Sequence, residues 1–381
     1  MKQIYLDYNA TTPIAPSVYE AMVPYLTRYC GNPSSHHAQG RICHQAIEDA
    51  REQVSSLLGA STDEVFFTSG GTESNNLAIL GATQTEYGYA GHIIISAVEH
   101  PATTEPAAFL KRVGCEVSIV PTDHQGIVNV EAIAAAMQEN TTLVSIMHAN
   151  NEIGTIQPIQ EISGLCRSQG VLLHTDAAQS IGKIRTQVDE LGVDLLSLAG
   201  HKVYAPKGIG ALYVRRGTRL RPVVYGAGHE KGLRPGTENV AYIAGLGQAA
   251  TLANLGLGEN QERLTTLRER LFRGLAQKID SLTFNGPAQQ RLPNTLSVNF
   301  PNVIGQELLD RVPELCASTG SACHSGTTSL SATLQAIGLS PDIARGTVRL
   351  SLGWQTSEED VDHAIDLLEQ SWQVLADSYQ P

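Results

Sequence analysis

Residues 197–214 read SLAGHKVYAPKGIGALYV: a short apolar strand, a Gly-His-Lys turn and a second strand. The run LLSLA at 195–199 has the continuous apolar character of a strand covered on both faces, so Lys202 stands at the tight end of buried structure. A lysine held in apolar surroundings has a lowered pKa and, when neutral, is a nucleophile able to form a Schiff base with a carbonyl. Taken alone, Lys202 is more simply read as a surface lysine at a strand end. What stands around it in the sequence decides between the two.

Outward from this stretch, strand-length apolar runs alternate with helical segments between Glu64 and Val214: VFFTS, HIIIS, EVSIV, LVSIMHA, VLLHTD, DLLSLA and GALYV. That alternation is a βα pattern, and it predicts an α/β fold with a large, mostly parallel sheet flanked by helices. The Gly-Leu-Gly-Glu-Asn stretch at 256–260 breaks the pattern and is expected to open a long charged helix, QERLTTLRERLFRGLAQKI. Beyond it follow a strand (NTLSVNF), a helix after Gly305, a Gly/Ser/Thr-rich loop (STGSACHSGTTS), a further helix, a strand (TVRLSL) and a closing helix from Glu358. The expectation is a large domain over 16–256 and a smaller α+β domain formed by 1–15 together with 257–381.

Two further signals accompany Lys202. In VLLHTDAAQS a strand ends in Asp176, with Gln179 three residues on, and ligands of open α/β sheets collect at such carboxyl ends. A carboxylate emerging from a buried strand needs a cation or several donors, although Asp176 also suits a helix cap. In FFTSGGTESNN a strand runs through Gly70, Gly71 and Thr72 into a helix, whose free N–H groups and positive dipole end suit a phosphate. Neither GxGxxG after a strand nor GxxxxGK[ST] is present, so dinucleotides and nucleoside triphosphates lack their fingerprints. A phosphate cradle, an acid for a ring nitrogen and an imine-forming lysine together describe pyridoxal 5'-phosphate.

Composition narrows the setting. The net charge of −12 disfavours broad contact with nucleic acid or an anionic membrane. The N-terminal MKQIYLDYNATTP has no apolar signal core, and no later run offers some eighteen unbroken apolar residues, so a cytoplasmic protein is expected. Six cysteines (30, 43, 115, 166, 316 and 323) lack CxxC spacing, which argues for single thiols rather than disulfides or structural zinc. His36 and His37 adjoin without a carboxylate or thiol at ligand spacing, and no metal site is expected.

The segments YLDYNATTP, GNPSSHHAQGR, TSGGTESNN, VEHPA, HANNEIG, HTDAAQS, GHKVYAPKGIGALY, RPGTEN, GSACHSG and VRLSLG, in this order from Tyr5 to Gly353, resemble the NifS-like cysteine desulfurases. The resemblance implies the fold type I (aspartate-aminotransferase-like) homodimer with pyridoxal phosphate. By it, Lys202 bonds the cofactor, Asp176 pairs with its ring nitrogen, Gln179 contacts its ring hydroxyl and His100 stacks on the ring. Gly71, Thr72 and His201 match the phosphate site, Thr237 matches a phosphate contact made by the neighbouring subunit, and Asn151 and Arg349 match the grip on the substrate carboxylate. Cys323 matches the nucleophilic cysteine that receives sulfur from L-cysteine and passes it to an acceptor such as an iron-sulfur scaffold.

Chemistry supports these roles separately. A guanidinium grips a carboxylate bidentately where a lysine cannot. A thiol in the Gly/Ser-rich loop of Cys323 can reach a substrate and carry cargo away, whereas Cys316, in the apolar segment ELCAS, reads as structural. The chain departs from many relatives at Ala199, where they carry a hydroxyl, and Ser197 on the same strand face is the expected substitute. The ACHS, RPGTEN and ARGTVRLS wording also resembles selenocysteine lyases, which leaves L-selenocysteine open as a substrate. A lyase needing no protein thiol and a non-catalytic sulfur-transfer scaffold are the remaining alternatives.

Overall fold

A computed structural model describes residues 3–319 and 330–378. From the N-terminus come β1 (Ile4–Tyr5), α1 (Pro16–Thr27), α2 (Ala38–Leu58), β2 (Val65–Thr68), α3 (Gly71–Thr83) and the small hairpin of β3 (Gln84–Thr85) and β4 (Gly88–Tyr89). Next are β5 (His92–Ser96), α4 (Pro101–Arg112), β6 (Glu116–Val120), α5 (Val130–Ala136), β7 (Thr141–Ser145), α6 (Ile159–Gln169), β8 (Leu172–Asp176), α7 (Val188–Leu191), β9 (Leu195–Ala199) and β10 (Gly210–Val214). The remainder is α8 (Val240–Lys278), β11 (Thr283–Phe284), β12 (Thr295–Asn299), α9 (Gly305–Asp310), β13 (Leu315–Cys316), α10 (Ala332–Ala336), α11 (Pro341–Arg345), β14 (Thr347–Ser351) and α12 (Glu358–Ser378).

Seven strands form the main sheet in the order β2-β10-β9-β8-β7-β5-β6. Strand β10 is antiparallel to both of its neighbours, and the other ladders are parallel. Strands β5, β9 and β10 are buried along their whole length, as sheets covered by helices on both faces require. Because β8 and β9 run parallel, Asp176 and Ala199 finish on one edge of the sheet, and the turn bearing Lys202 follows directly from β9. The fold thus gathers the acid and the amine at the carboxyl ends of adjacent strands.

A second, three-stranded antiparallel sheet runs β11-β12-β14. Its apolar face packs with Leu264, Leu271 and Leu275 of α8 and with Val361 and Leu368 of α12. Ile4 and Leu6 belong to this second core, and β1 pairs parallel with β13, while Ala15 and Val18 belong to the core under the main sheet.

Helix α8 differs from the sequence expectation. Gly256 and Gly258 do not open a helix; they lie inside one that starts at Val240, after the Asn239 cap. Interior glycines cost roughly 1 kcal/mol each relative to alanine. The two ends of α8 outweigh that cost, with Ile243 to Ala253 buried in the first core and Leu264 to Leu275 in the second. Gly247 also serves packing, since a Cβ there would meet Ala50 at 2.6–2.7 Å. Helix α8 is long and apolar enough to cross a bilayer by composition, but its buried faces are those of a core helix shared by two sheets.

Candidate active site

A cleft of about 380 Å³ opens where the two sheets meet. Lys202, Asp176, Gln179, His100, Gly71, Thr72, His201, Asn151 and Arg349 all line it, so the structure brings nine of the predicted site residues together. Thr237 does not join them; it is exposed, in the loop before α8. Cys323 lies outside the described residues.

Lys202 is carried on a single helical turn after β9. Its Nζ donates to the carbonyl oxygens of Asn9 at 2.6 Å and Ala10 at 2.7 Å. Burial, reinforced by the positive charge of Arg349, lowers its pKa to about 8, against the opposing pull of Asp176 and Asp7. About a tenth of it is then the neutral, nucleophilic amine at pH 7, far more than for a solvated lysine. His201 beside it meets Thr11 Oγ1 at 3.2 Å, and burial followed by the charge of Lys202 lowers it to about 4, so it stands neutral.

Asp176, 8% exposed, is aligned by two donors. Asn75 Nδ2 donates to Oδ2 at 2.7 Å, and the Ala178 N–H donates to Oδ1 at 2.9 Å. These contacts orient the carboxylate without a formal cation. Gln179 donates from Nε2 to Asn9 O at 2.9 Å and accepts at Oε1 from Lys183 Nζ at 2.9 Å.

His100 caps α4, its Nδ1 accepting from the Ala102 N–H at 3.0 Å. An amide can only donate, so the ring proton of neutral His100 sits on Nε2. Burial lowers the pKa of His100 further below its ordinary value than Asp176 raises it. Gly71 begins α3, and a Cβ there would press on Ala199 Cβ at 3.1 Å, leaving a small-residue cradle at the N-terminus of the helix. Ser197 does not supply the missing hydroxyl. Two residues back along β9, it lies deeper in the sheet, where its Oγ meets His174 Nε2 at 2.9 Å, and it does not line the cleft.

Arg349, on β14, brings the second sheet into the site. Its Nη2 pairs with Asp7 Oδ1 at 2.8 Å and its Nη1 donates to Asn151 O at 3.2 Å. Its buried Nε has no partner among the described residues, a donor left for an incoming acceptor. A carboxylate aligned by neutral donors, a low-pKa amine, a small-residue cradle at a helix N-terminus and a guanidinium with an orphaned donor fit pyridoxal phosphate and an amino-acid carboxylate. Asn9 has little side-chain signature in the sequence, because its part in the site is played mainly by a main-chain carbonyl.

The family model described as "Aminotransferase class-V" matches residues 4–364. A curated relative named "Cysteine desulfurase IscS", from Dictyoglomus turgidum, is 46% identical over 97% of this chain and 94% of its own. Among solved structures, one titled "NIFS-LIKE PROTEIN" superposes with a TM-score of 0.90 at 36% identity, covering 98% of this chain and 99% of that one. Another, titled "SspA in complex with cysteine", gives a TM-score of 0.82 at 38% identity over 91% of this chain and 98% of that one.

Proposed function

The chain belongs to the class-V aminotransferase family, among the NifS-like and IscS-type cysteine desulfurases, and from that premise we infer that it is a pyridoxal-phosphate-dependent enzyme converting L-cysteine to L-alanine and transferable sulfur. The observation that carries this reading is the cleft in which the low-pKa Lys202, the aligned Asp176 and the partly unpaired Arg349 converge.

Lys202, Asp176, Gln179 and His100 would hold the cofactor ring, and Gly71, Thr72 and His201 its phosphate. When bound, the cofactor supplies an electron sink for carbanion chemistry. Arg349 and Asn151 bind and orient the substrate carboxylate. Lys202, once free of the cofactor, carries the substrate Cα proton, and His100 serves as acid or base through Nε2. The thiolate of Cys323 attacks the substrate sulfur. An S–S bond forms as the substrate Cβ–S bond breaks, the bonding pair stays with carbon, and protonation there completes the methyl group of alanine. Cys323 is left as a persulfide, which is handed to an acceptor.

The site is proposed to be completed in a homodimer, each chain lending Thr237 to its partner's phosphate site; the exposure of Thr237 outside its own cleft supports this. An iron-sulfur scaffold or other sulfur acceptor, and a cytoplasmic setting, belong to the same proposal. L-Cysteine is favoured over L-selenocysteine as substrate by the names of the relatives, and the turnover ratio of the two tests that preference. The activity itself is tested by supplying the cofactor and L-cysteine and measuring alanine. The expected result is catalytic alanine formation that Lys202→Ala abolishes; a wild-type protein that binds both and forms no alanine would favour a scaffold.

A further inference from the structure

Lys183 is a buried cation that the reaction described above does not use. It is 8% exposed, and its Nζ makes one hydrogen bond among the described residues, to Gln179 Oε1 at 2.9 Å, with no carboxylate in ion-pair contact. Burial lowers its pKa to about 7, and the nearby charges of Lys202 and Arg349 add to the effect. An ammonium kept in so unfavourable a place requires a compensating use.

Its position is closely specified. Lys183 follows Gly182, whose φ of +69° and closeness to Val203 and Ala253 leave little room for a side chain. This fixes the turn that leads on from β8 against the residue next to Lys202. The Lys183 ammonium only donates hydrogen bonds, and the Asn9 carbonyl only accepts them. Between the two, the Gln179 carboxamide has one satisfied orientation: Oε1 toward Lys183 and Nε2 toward Asn9 O, which also accepts from Lys202. Nε2 has two hydrogens, and one remains after Asn9 is served.

We propose that Lys183 is a positioning residue that locks the Gln179 carboxamide so that its N–H side, not its oxygen, serves the cofactor site. The proposal rests on the reading of this cleft as a pyridoxal phosphate site. Without Lys183, the carboxamide can turn over and present an acceptor where a donor is needed. A donor from Gln179 to the ring oxygen of the cofactor favours the deprotonated form of the lysine-bound chromophore, so its loss raises the pH at which that chromophore titrates.

The test is an absorbance titration of the cofactor-loaded protein without substrate, for wild type, Lys183→Met, Gln179→Ala and the double variant. The expected result is a midpoint raised by about one pH unit in Lys183→Met, a similar rise in Gln179→Ala, and no further rise in the double variant. Loss of stability alone would not move this midpoint. If Lys183→Met does not fold, Lys183→Ala is titrated with butylammonium or butanol added, and only the cation is expected to restore the wild-type midpoint. An unshifted midpoint in the Lys183 variant, or an equal added shift in the Gln179→Ala background, overturns the positioning role. A wild-type protein without a visible cofactor band overturns the cofactor reading and this proposal with it.

Discussion

Lys202 Nζ lies 2.6 Å from the carbonyl oxygen of Asn9, and Asn9 is anchored to the other sheet, its Nδ2 donating to Thr295 Oγ1 at 2.8 Å and its Oδ1 accepting from Asn294 Nδ2 at 3.0 Å. The amine at the end of β9 is therefore held by a segment fastened to the three-stranded sheet. Lys202 and Arg349 share this frame, since Asn9 Nδ2 also donates to Asn151 O, the carbonyl that receives Arg349.

Apoprotein should take up pyridoxal phosphate with a pH dependence set by Lys202. Its pKa of about 8 means that the neutral amine accumulates more than two units below the pH at which a solvated lysine deprotonates. The uptake rate, followed by absorbance, should rise with a midpoint near pH 8. A midpoint above pH 10 would contradict the burial argument.

Two histidines beneath the site should govern acid stability. Burial lowers both His148 and His174 to about 4. As pH falls from 6.5 toward 4, the unfolded chain binds protons that the native protein does not, so stability decreases through that window. Each contributes a loss on the order of 3 kcal/mol by the lower end. His174 is held by Ser145 Oγ at 2.7 Å and Ser197 Oγ at 2.9 Å. His174→Gln should make the fall of apoprotein stability with pH, measured by urea unfolding, shallower by about one proton; an unchanged slope would refute the assignment.

Arg349→Lys should keep the cofactor and lose grip on the substrate. The guanidinium is shared among Asp7, Asn151 and an open Nε, a geometry that a single ammonium cannot reproduce. Loss of one charge-assisted hydrogen bond corresponds to a KM for L-cysteine raised about 10- to 100-fold. Steady-state kinetics beside a cofactor-binding titration separate the two effects, and an unchanged KM would remove Arg349 from the carboxylate site.

Much of this site was legible because the main sheet announces itself. Runs such as HIIIS and LLSLA are apolar at consecutive positions, and Asp176 and Lys202 stand where such runs stop. Helix α8 was misread because its glycines were weighed as local breakers, while its continuity comes from packing of its two ends on different cores. Ser197 was misplaced because strand alternation gives the face of a side chain but not its depth below the rim. The antiparallel insertion of β10 and the contact of Lys202 with Asn9 are relations between segments, which periodicity along one segment does not encode.

The most direct test compares wild type with Cys323→Ala, each loaded with pyridoxal phosphate and given L-cysteine, with alanine counted and the peptide containing residue 323 weighed by mass spectrometry. Lys202, Asp176, Gln179, Gly71 and Thr72 line one cleft, and the proposed cofactor contacts assign no part to Cys323, so both proteins should bind the cofactor and respond spectrally to cysteine. Wild type should form alanine and gain one sulfur atom on Cys323. The variant should form alanine slower by orders of magnitude, because water is a poor thiophile beside a thiolate. Near-normal alanine formation by Cys323→Ala would contradict persulfide transfer and assign the chain to sulfur elimination without a protein thiol.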